Sequence, residues 1–301
     1  MTAALRVGTR GSALAIAQTN TVASALAAKS GQAPEIVTIS TEGDRSTESL
    51  ASLGGTGVFA SALRDALLAG EVDVVVHSLK DLPTAPHPGL VIGAVPKRVD
   101  ARDALCARDG LTLDTLPAGA RVGTGSPRRA AQLRARRPDL EVLDIRGNVD
   151  TRLGKVASGE YDAVILAAAG LDRLKRLDAV TEYLGLDGWP TAPGQGALAV
   201  EVRWGDERLV KGLEHATSRI IVEAERQTLA LLEAGCSAPV GAHGLIDDGM
   251  LFLSARVYSA DGSERITSSH ALYVSDTRDP AGDVAARVAK ELLDLGAGRL
   301  M

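Results

Sequence analysis

Strand-like and helix-like segments alternate through roughly the first two-thirds of this chain of 301 residues. A short strand at Leu5–Gly8 precedes an alanine-rich helix over Ser12–Ala28, and the helix Phe59–Leu68 precedes an apolar strand over Val72–Ser78. The same order restarts after Pro117. Because a helix between two strands returns the chain to the starting edge of a sheet, this alternation predicts doubly wound α/β domains with mostly parallel sheets.

One short segment occurs twice in nearly the same form, as Arg6-Val7-Gly8-Thr9-Arg10-Gly11-Ser12 and as Arg121-Val122-Gly123-Thr124-Gly125-Ser126. Each copy reads as a strand, a turn with glycine, and a serine placed to cap a helix, and Pro127 follows the second serine. A strand-to-helix turn offers free backbone N–H groups to an anion. Neither copy matches the dinucleotide fingerprint or the P-loop. The repeat therefore predicts two similar lobes, each with an anion site.

The last third of the chain has a different pattern. A long amphipathic helix over Thr217–Glu233 is followed by strand-like segments at Leu251–Ser259 and Ala271–Ser275 and by a closing helix at Ala281–Leu295. Turn signals separate the strands. This order predicts a third, small α+β domain.

The composition excludes several classes of protein. Aromatic residues make up 3% and the net charge is −5, which argues against a base-stacking surface and against binding to nucleic acid or membranes through overall charge. Two cysteines cannot form a disulfide framework or a thiolate zinc site, so no metal is expected. The amino terminus lacks the features of a secretory signal, and the longest apolar stretch, Ala163–Leu171, is too short to span a bilayer. We therefore expect a cytoplasmic protein.

The basic residues are chosen and placed unevenly. There are 26 arginines and 7 lysines, and six arginines but no acidic residue lie between Arg121 and Arg137. Such a run is often a solvated helix face. Arg128 and Arg129, however, fall in the first turn of a predicted helix, where cations oppose the helix dipole unless an anion is present. Further arginines follow predicted strands at positions Arg146, Arg152 and Arg173. Together they predict a ligand with several carboxylates or phosphates.

Other candidate residues lie in loops. Lys80 and Asp81 follow a buried strand, at the edge where open α/β sheets bind ligands, although a simple proline-terminated turn is an equal alternative. His77 fits a buried, hydrogen-bonded strand residue. A lone cysteine is usually a small hydrophobic core residue, but Cys236 falls in a predicted loop between Gly235 and Pro239, which is a poor place to bury one. Cys106 fits an inert position within a strand.

At this point the sequence resembles a known family, porphobilinogen deaminase (hydroxymethylbilane synthase), over nearly its whole length. The matching segments are Thr9-Arg10-Gly11-Ser12, His77-Ser78-Leu79-Lys80-Asp81-Leu82-Pro83, Gly123-Thr124-Gly125-Ser126-Pro127-Arg128-Arg129, Arg146-Gly147-Asn148-Val149-Asp150-Thr151-Arg152, Pro193-Gly194-Gln195-Gly196 and Gly235-Cys236-Ser237-Ala238-Pro239. The resemblance implies an enzyme of tetrapyrrole biosynthesis. It would join four porphobilinogen molecules head to tail with loss of ammonia and then release hydroxymethylbilane by reaction with water.

The resemblance also implies a fold and a cofactor. The expected fold has two lobes like those of periplasmic binding proteins and a C-terminal α+β domain. The expected domains are residues 1–96 with 197–215, residues 97–196, and residues 216–301. The growing pyrrole product would be built on a dipyrromethane cofactor that is attached through a thioether to Cys236. The family is usually monomeric.

The resemblance assigns roles to the candidate residues by motif. Asp81 would be catalytic. The cofactor would be bound by Lys80, Ser12, Ser126, Arg128 and Arg129, and the substrate by Arg10, Arg146, Arg152 and Arg173. Phe59 and Gln195 would act in a lid and a hinge. Some family members carry lysines in the glycine-rich loop before the matching phenylalanine, but residues 52–58 here contain none, so no role of such lysines transfers to this chain.

Two other functions remain open on sequence grounds. A non-enzymatic anion-binding protein of the solute-receptor class would have the same two lobes. Such a protein would be expected to carry an export signal, and it would have no use for a cysteine in the loop. A nucleic-acid-binding regulator would rest on the arginines between positions 121 and 137 alone, and no recognition motif supports it.

Overall fold

The computed structural model describes residues 4–40, 57–234 and 238–301. The strands are β1 (Arg6–Arg10), β2 (Glu35–Ile39), β3 (Val74–Ser78), β4 (Leu90–Ala94), β5 (Asp103–Ala107), β6 (Arg121–Gly123), β7 (Glu141–Leu143), β8 (Ala163–Ala167), β9 (Glu182–Leu184), β10 (Leu198–Arg203), β11 (Val240–Asp247), β12 (Met250–Tyr258) and β13 (Arg265–Tyr273). The α-helices are α1 (Ala13–Ser30), α2 (Gly57–Leu68), α3 (Pro127–Arg136), α4 (Val149–Ala157), α5 (Ala168–Arg173), α6 (Ala216–Leu231) and α7 (Pro280–Asp294).

The chain forms two compact units, and the first comprises residues 1–99 and 196–219. Its sheet has the strand order β2-β1-β3-β10-β4. Strand β1 pairs in parallel with β2 and β3, whereas β10 is antiparallel to β3 and β4. The middle of the sheet is almost continuously apolar, and Val74, Val75 and Val76 are all buried. Strands covered on both faces have this composition.

The ends of helix α1 follow from local chemistry. The Ser12 side chain accepts a hydrogen bond from the Ala15 N–H at 3.3 Å, which confirms the predicted cap. At the other end Gly31 adopts φ +74°, a left-handed conformation that glycine reaches without steric cost, and its N–H donates to the Ala27 carbonyl.

The second unit comprises residues 100–195 and 220–301 and contains two sheets. The larger has the order β7-β6-β8-β5-β9, with β6 parallel to β7 and β8, and β5 antiparallel to β8 and β9. Helix α3 begins as predicted: Ser126 accepts from the Arg129 N–H at 3.4 Å, and Pro127 occupies the first helical position. The core against this sheet includes Leu105, Leu133 and Trp189.

The smaller sheet is an antiparallel meander, β11-β12-β13. Alternate residues of β12 (Leu251, Leu253, Ala255 and Val257) are buried in one core with the apolar face of α7. Sequence analysis missed β11, since its glycines at positions 241 and 244 weaken the strand pattern.

These elements confirm the predicted fold class, two α/β sheets of matching order and a small C-terminal α+β part. The expectation of mostly parallel sheets is confirmed, because four of the five strands in each large sheet run in the same direction, and only β10 in the first sheet and β5 in the second run opposite to their neighbours. No helix directly precedes β5 or β10, so neither strand enters its sheet through the crossover that parallel pairing requires. The predicted domain boundaries stay a prediction. Among the described residues, none of the helices has the length and apolar character needed to cross a membrane.

Candidate active site

Lys80 and Asp81 lie on a rigid turn at the carboxyl end of β3. A single turn of 3-10 helix covers Leu79–Asp81, and the leucines on either side of the pair, Leu79 and Leu82, are buried. The Leu79 N–H donates to the Ala197 carbonyl at 3.0 Å, which ties the turn to the segment entering β10. Buried leucines therefore hold the two polar side chains at a fixed place on the sheet edge.

The Asp81 carboxylate is half-buried. Within residues 4–40, 57–234 and 238–301, no side chain or backbone N–H forms a hydrogen bond or ion pair with it. Because β1 and β3 are parallel, Arg10 at the end of β1 and Ser12 just after it lie at the same edge of the sheet. The structure thus brings the ends of both strands together and leaves the Asp81 oxygens available as acceptors.

A buried ionic cluster of Arg64, Glu201 and His77 links β3 to β10 and helix α2. The Arg64 guanidinium donates to both oxygens of Glu201 at 2.9 to 3.2 Å, and His77 Nε2 lies 3.2 Å from Glu201 Oε2. Burial alone would raise the pKa of Glu201, but the bonds from His77 and Arg64 lower it overall. The prediction that His77 is a buried, hydrogen-bonded residue is confirmed, and its partner explains its place in the core.

In the second unit, Arg128 and Arg129 bind a carboxylate of the protein itself. Asp103, fully buried at the start of β5, accepts from Arg128 at 2.9 Å, Arg129 at 2.6 Å, Gln195 at 2.9 Å and the Trp189 indole at 2.9 Å. Burial favours the neutral acid, but the two guanidinium charges outweigh it and hold the pKa of Asp103 well below its usual range. Asp103 therefore supplies an anion at the start of helix α3.

The two guanidinium groups are not fully used by these contacts. Arg128 also donates to the Pro190 carbonyl and Arg129 to the Ile165 carbonyl. Their buried Nε atoms find no hydrogen-bond partner in the described part of the chain. Two arginines share one carboxylate, so this cluster retains one positive charge and spare donors.

Arg146 and Arg152 add further positive charge beside this cluster. Arg146 pairs through Nε with Asp144 at 3.0 Å, and Arg152 donates through Nε to the Gly147 carbonyl at 2.8 Å. Burial lowers the pKa of Arg152, and the charges of Arg129 and Arg146 lower it further. Among described residues, no acceptor is bound by the terminal nitrogens of either side chain. These nitrogens are free for a ligand anion.

Glycine lets the loops carrying these arginines approach each other. A Cβ on Gly125 would lie 3.1 Å from the Ile145 carbonyl oxygen and 3.3 Å from the Asp144 carboxylate. Gly147 has φ +110°, and a Cβ there would lie 2.6 Å from the Thr151 side chain. Larger residues at either position would separate the loops or distort the start of α4.

Arg173 lies at the end of α5, a six-residue helix that follows β8. Burial lowers its pKa. The structure therefore places Arg128, Arg129, Arg146, Arg152 and Arg173 in loops and helices that follow the strands of one sheet, with Ser126 engaged as the cap of α3.

Comparison with known proteins identifies the family. Residues 5–211 match the family described as "Porphobilinogen deaminase, dipyromethane cofactor binding domain", and residues 220–294 match "Porphobilinogen deaminase, C-terminal domain". The chain belongs to the porphobilinogen deaminase family. It is 62% identical to the porphobilinogen deaminase of Leifsonia xyli subsp. xyli (99% of this chain, 94% of that protein) and 54% identical to that of Mycobacterium tuberculosis (99% and 98%).

Solved structures with a similar chain path are distant in sequence. The methionine-binding protein MetQ is 11% identical, with a TM-score of 0.45 over 69% of this chain and 87% of its own. A periplasmic substrate-binding protein of an ABC transporter from Coxiella burnetii is 14% identical, with a TM-score of 0.44 over 71% of this chain and 94% of its own.

Membership of the porphobilinogen deaminase family confirms the resemblance seen in the sequence and disfavours the non-enzymatic alternative. The cofactor of this family is dipyrromethane. Cys236 lies outside the described residues, as does the side chain of Phe59. Cys106 is buried, and this burial raises the pKa of its thiol to about 12, as expected for an inert position.

Sequence reasoning missed Asp103 and Trp189. Asp103 begins a strand of otherwise apolar residues. An acidic residue in such a strand, directly after Arg102, is the one sequence signal that could have indicated a buried ion pair. Gln195, predicted as a hinge, is itself buried and bonded to Asp103 and to the Ala101 carbonyl at 2.7 Å. Another buried acid, Glu225 of α6, accepts from the Gly194 N–H at 2.7 Å beside it. Buried acids thus fix the backbone on which the predicted hinge lies.

Proposed function

We propose that this chain is a hydroxymethylbilane synthase that joins four porphobilinogen molecules head to tail, releases ammonia at each step, and grows the product on a covalent dipyrromethane cofactor. Hydroxymethylbilane is then released by water. The arginine cluster with unused terminal nitrogens carries this proposal, because acetate and propionate arms on every pyrrole require many cationic donors.

The residues fit the cofactor. A dipyrromethane made from two porphobilinogen units carries carboxylates on both rings, and Arg128 and Arg129 together carry one more positive charge than the Asp103 carboxylate that they share. We assign cofactor binding to these arginines with Ser126 in the second unit, and to Lys80 with Ser12 in the first. The bound group supplies the terminal pyrrole carbon to which substrate is added. Its thioether is assigned to Cys236, whose thiolate adds to the electrophilic methylene left by loss of ammonia.

Arg146 and Arg152, together with Arg10 and Arg173, bind the substrate or the growing chain. Arginine is suited to this task because its planar fork binds a carboxylate through two parallel hydrogen bonds and so sets the direction of each arm. Burial and, after it, the charges of Arg129 and Arg146 lower the pKa of Arg152, and a bound carboxylate would offset both effects, so the cluster is suited to binding anions.

Asp81 stabilises the charge that develops in the reaction. Loss of ammonia from the aminomethyl group of porphobilinogen leaves a methylene-pyrrole cation whose charge extends to the ring nitrogen. An ionised carboxylate near that N–H stabilises the cation more than the neutral substrate, and such a difference lowers the barrier. The unused oxygens of Asp81 on an anchored turn suit this role. Asp81 also serves as an acceptor for the proton lost when the pyrrole regains aromaticity.

The proposal also covers the location, the oligomeric state and the partners of the enzyme. We propose that the enzyme is cytoplasmic and monomeric, that porphobilinogen is its small-molecule partner, and that it does not act on nucleic acid. The excess of acidic over basic residues, 38 to 33, is consistent with the last point.

The intact mass of the purified protein tests the cofactor assignment. We expect excess mass equal to two pyrrole units, and we expect Cys236→Ser to remove both that mass and normal activity. The matched control is Cys106→Ser, which keeps the excess mass because the buried thiol takes no part. An adduct that peptide mapping places on Cys106, or active enzyme without any adduct, contradicts the assignment.

A further inference from the structure

A cationic pocket lies within the second unit, lined by none of the arginines discussed above. Its volume is about 280 Å³, close to the lower end of small-molecule pockets. The end of α3, the loop before Pro190, and strands β12 and β13 surround it. Its lining residues are Gln132, Ala135, Arg136, Gly188, Trp189, Arg256, Tyr258 and Arg265.

Three guanidinium groups border this pocket with little compensating charge. Arg265 is exposed, and its side chain makes no hydrogen bond or ion pair with any residue in the described part of the chain. Arg256 contacts only neutral acceptors, among them the Gly188 carbonyl at 3.3 Å and the Tyr258 hydroxyl at 3.2 Å. Arg136 has one acidic partner, Asp114, at 3.3 Å, and that side chain is 71% exposed.

The acidic residue next to Arg265 does not neutralise it. Glu264 forms its ion pair with Arg299 at 2.6 Å. Of the three lining arginines, only Arg136 forms an ion pair with a carboxylate in the described part of the chain, and that carboxylate, Asp114, is exposed. An uncompensated group of this kind attracts small anions from solution.

The floor of the pocket is polar, buried and ordered. The Tyr258 hydroxyl donates to Gln132 Oε1 at 3.2 Å, and the Gln132 amide donates to the Pro190 carbonyl at 3.2 Å. Burial raises the pKa of Tyr258, so its hydroxyl stays protonated beside the arginines. Trp189 is 1% exposed and donates to Asp103. This floor thus connects to the carboxylate that holds Arg128 and Arg129.

We propose that this pocket binds a small oxyanion with two or more negative charges, bearing phosphate or several carboxylates. Arg256 and Arg265 supply the main charge-assisted hydrogen bonds, and Arg136 exchanges Asp114 for the ligand. The site is separate from the arginines assigned to cofactor and substrate. Trp189 lines the pocket and donates to Asp103, so its emission can report on occupancy of the pocket.

Intrinsic fluorescence tests the proposal directly. The chain has two tryptophans, and the other, Trp204, is 81% exposed in the first unit, so Trp204→Phe leaves Trp189 as the single reporter. This variant, carrying its cofactor, is titrated with inorganic pyrophosphate and with citrate, each against sodium chloride at matched ionic strength. We expect a saturable change in Trp189 emission with at least one of the two anions, and the preferred anion tells phosphate from carboxylate recognition.

Substitutions then locate the binding. Arg265→Gln in the same background should weaken the titration roughly tenfold, a loss of about 1.4 kcal/mol. Because the Arg265 side chain is exposed, the variant should keep its fold, and the melting temperature checks this. Arg256→Gln should act in the same direction. Arg152→Gln is the matched control and should leave the titration unchanged.

Three results overturn the proposal. One is the absence of any saturable change beyond that seen with chloride. The second is a titration that survives the combined Arg256→Gln and Arg265→Gln substitutions. The third is a titration lost in Arg152→Gln but kept in Arg265→Gln, which would assign the anion to the substrate arginines.

Discussion

At the scale of single residues, Asp81 is the clearest candidate for direct chemistry. Asp81→Asn keeps the shape but removes the charge, so we expect nearly complete loss of the ammonia-releasing step. Asp81→Glu keeps the charge one methylene away and should retain measurable activity. The measurement is a single turnover of porphobilinogen on protein that already carries its cofactor, which separates chemistry from cofactor assembly.

The two variants together distinguish a role of the Asp81 charge in the reaction from a role of Asp81 in stabilising the fold. The Asp81 carboxylate forms no hydrogen bond with the described residues, so neither change should lower the melting temperature by more than a few degrees. An Asn variant with near-normal single-turnover rates would remove Asp81 from the mechanism. Equal loss in both variants with a large drop in stability would indicate a structural role.

Residue-level predictions succeeded where the chemistry is local. The caps Ser12 and Ser126 were predictable, since each serine bonds an N–H three residues ahead in its own helix. Asp103 was not predictable, because its partners at positions 128, 129, 189 and 195 are far away in sequence. The helix-dipole argument predicted an anion near Arg128 and Arg129. The structure shows that the Asp103 carboxylate of the protein itself is one such anion.

At the scale of elements, the pairing of Asp103 with Arg128 and Arg129 joins β5 to the start of α3. Asp103→Asn would leave two buried guanidinium groups without a carboxylate, and breaking a buried pair costs about 3–5 kcal/mol. We expect a loss of that size in the free energy of unfolding by urea. Asp139→Asn is the matched control, because its pair with Arg137 is 40% exposed on the acid side and should be worth about 1 kcal/mol or less.

The same pair predicts a pH dependence. The pKa of Asp103 is lowered by folding, so its contribution is complete above the unfolded pKa of about 3.9 and declines as the pH falls further. The difference in stability between wild type and Asp103→Asn should therefore be constant near neutrality and shrink below about pH 4. A difference that grows on acidification would contradict the ionised state assigned to Asp103.

Helices and strands that follow a local hydrophobic pattern could be predicted from the sequence. The position of a strand that pairs with residues far away along the chain could not. The alternation of strands and helices predicted parallel pairing, which holds for β1 with β3 and for β6 with β8, because a crossover helix determines strand direction. Strand β10 takes its place between β3 and β4 only after the chain returns from the second unit. No local pattern encodes that return, which explains why the antiparallel placement of β10 was not predicted.

At the scale of the whole molecule, a net charge of −5 coexists with a local excess of positive charge at the arginine cluster. Repulsion among Arg129, Arg146 and Arg152 destabilises the folded state until anionic groups bind, and a ligand that binds only the folded state stabilises it. Protein lacking the cofactor, such as Cys236→Ser, should therefore melt at a lower temperature than the loaded enzyme. Cys106→Ser is the control, since it should keep the cofactor.

Sodium chloride separates this charge effect from loss of packing. Screening weakens repulsion between cations that solvent reaches, so added salt should raise the melting temperature of Cys236→Ser more than that of the loaded enzyme. Calorimetry between low and physiological ionic strength measures the two slopes. The difference should shrink when Arg152→Gln is added to Cys236→Ser, because one of the repelling charges is then absent. Equal slopes in loaded and unloaded protein would show that cofactor carboxylates do not neutralise this cluster.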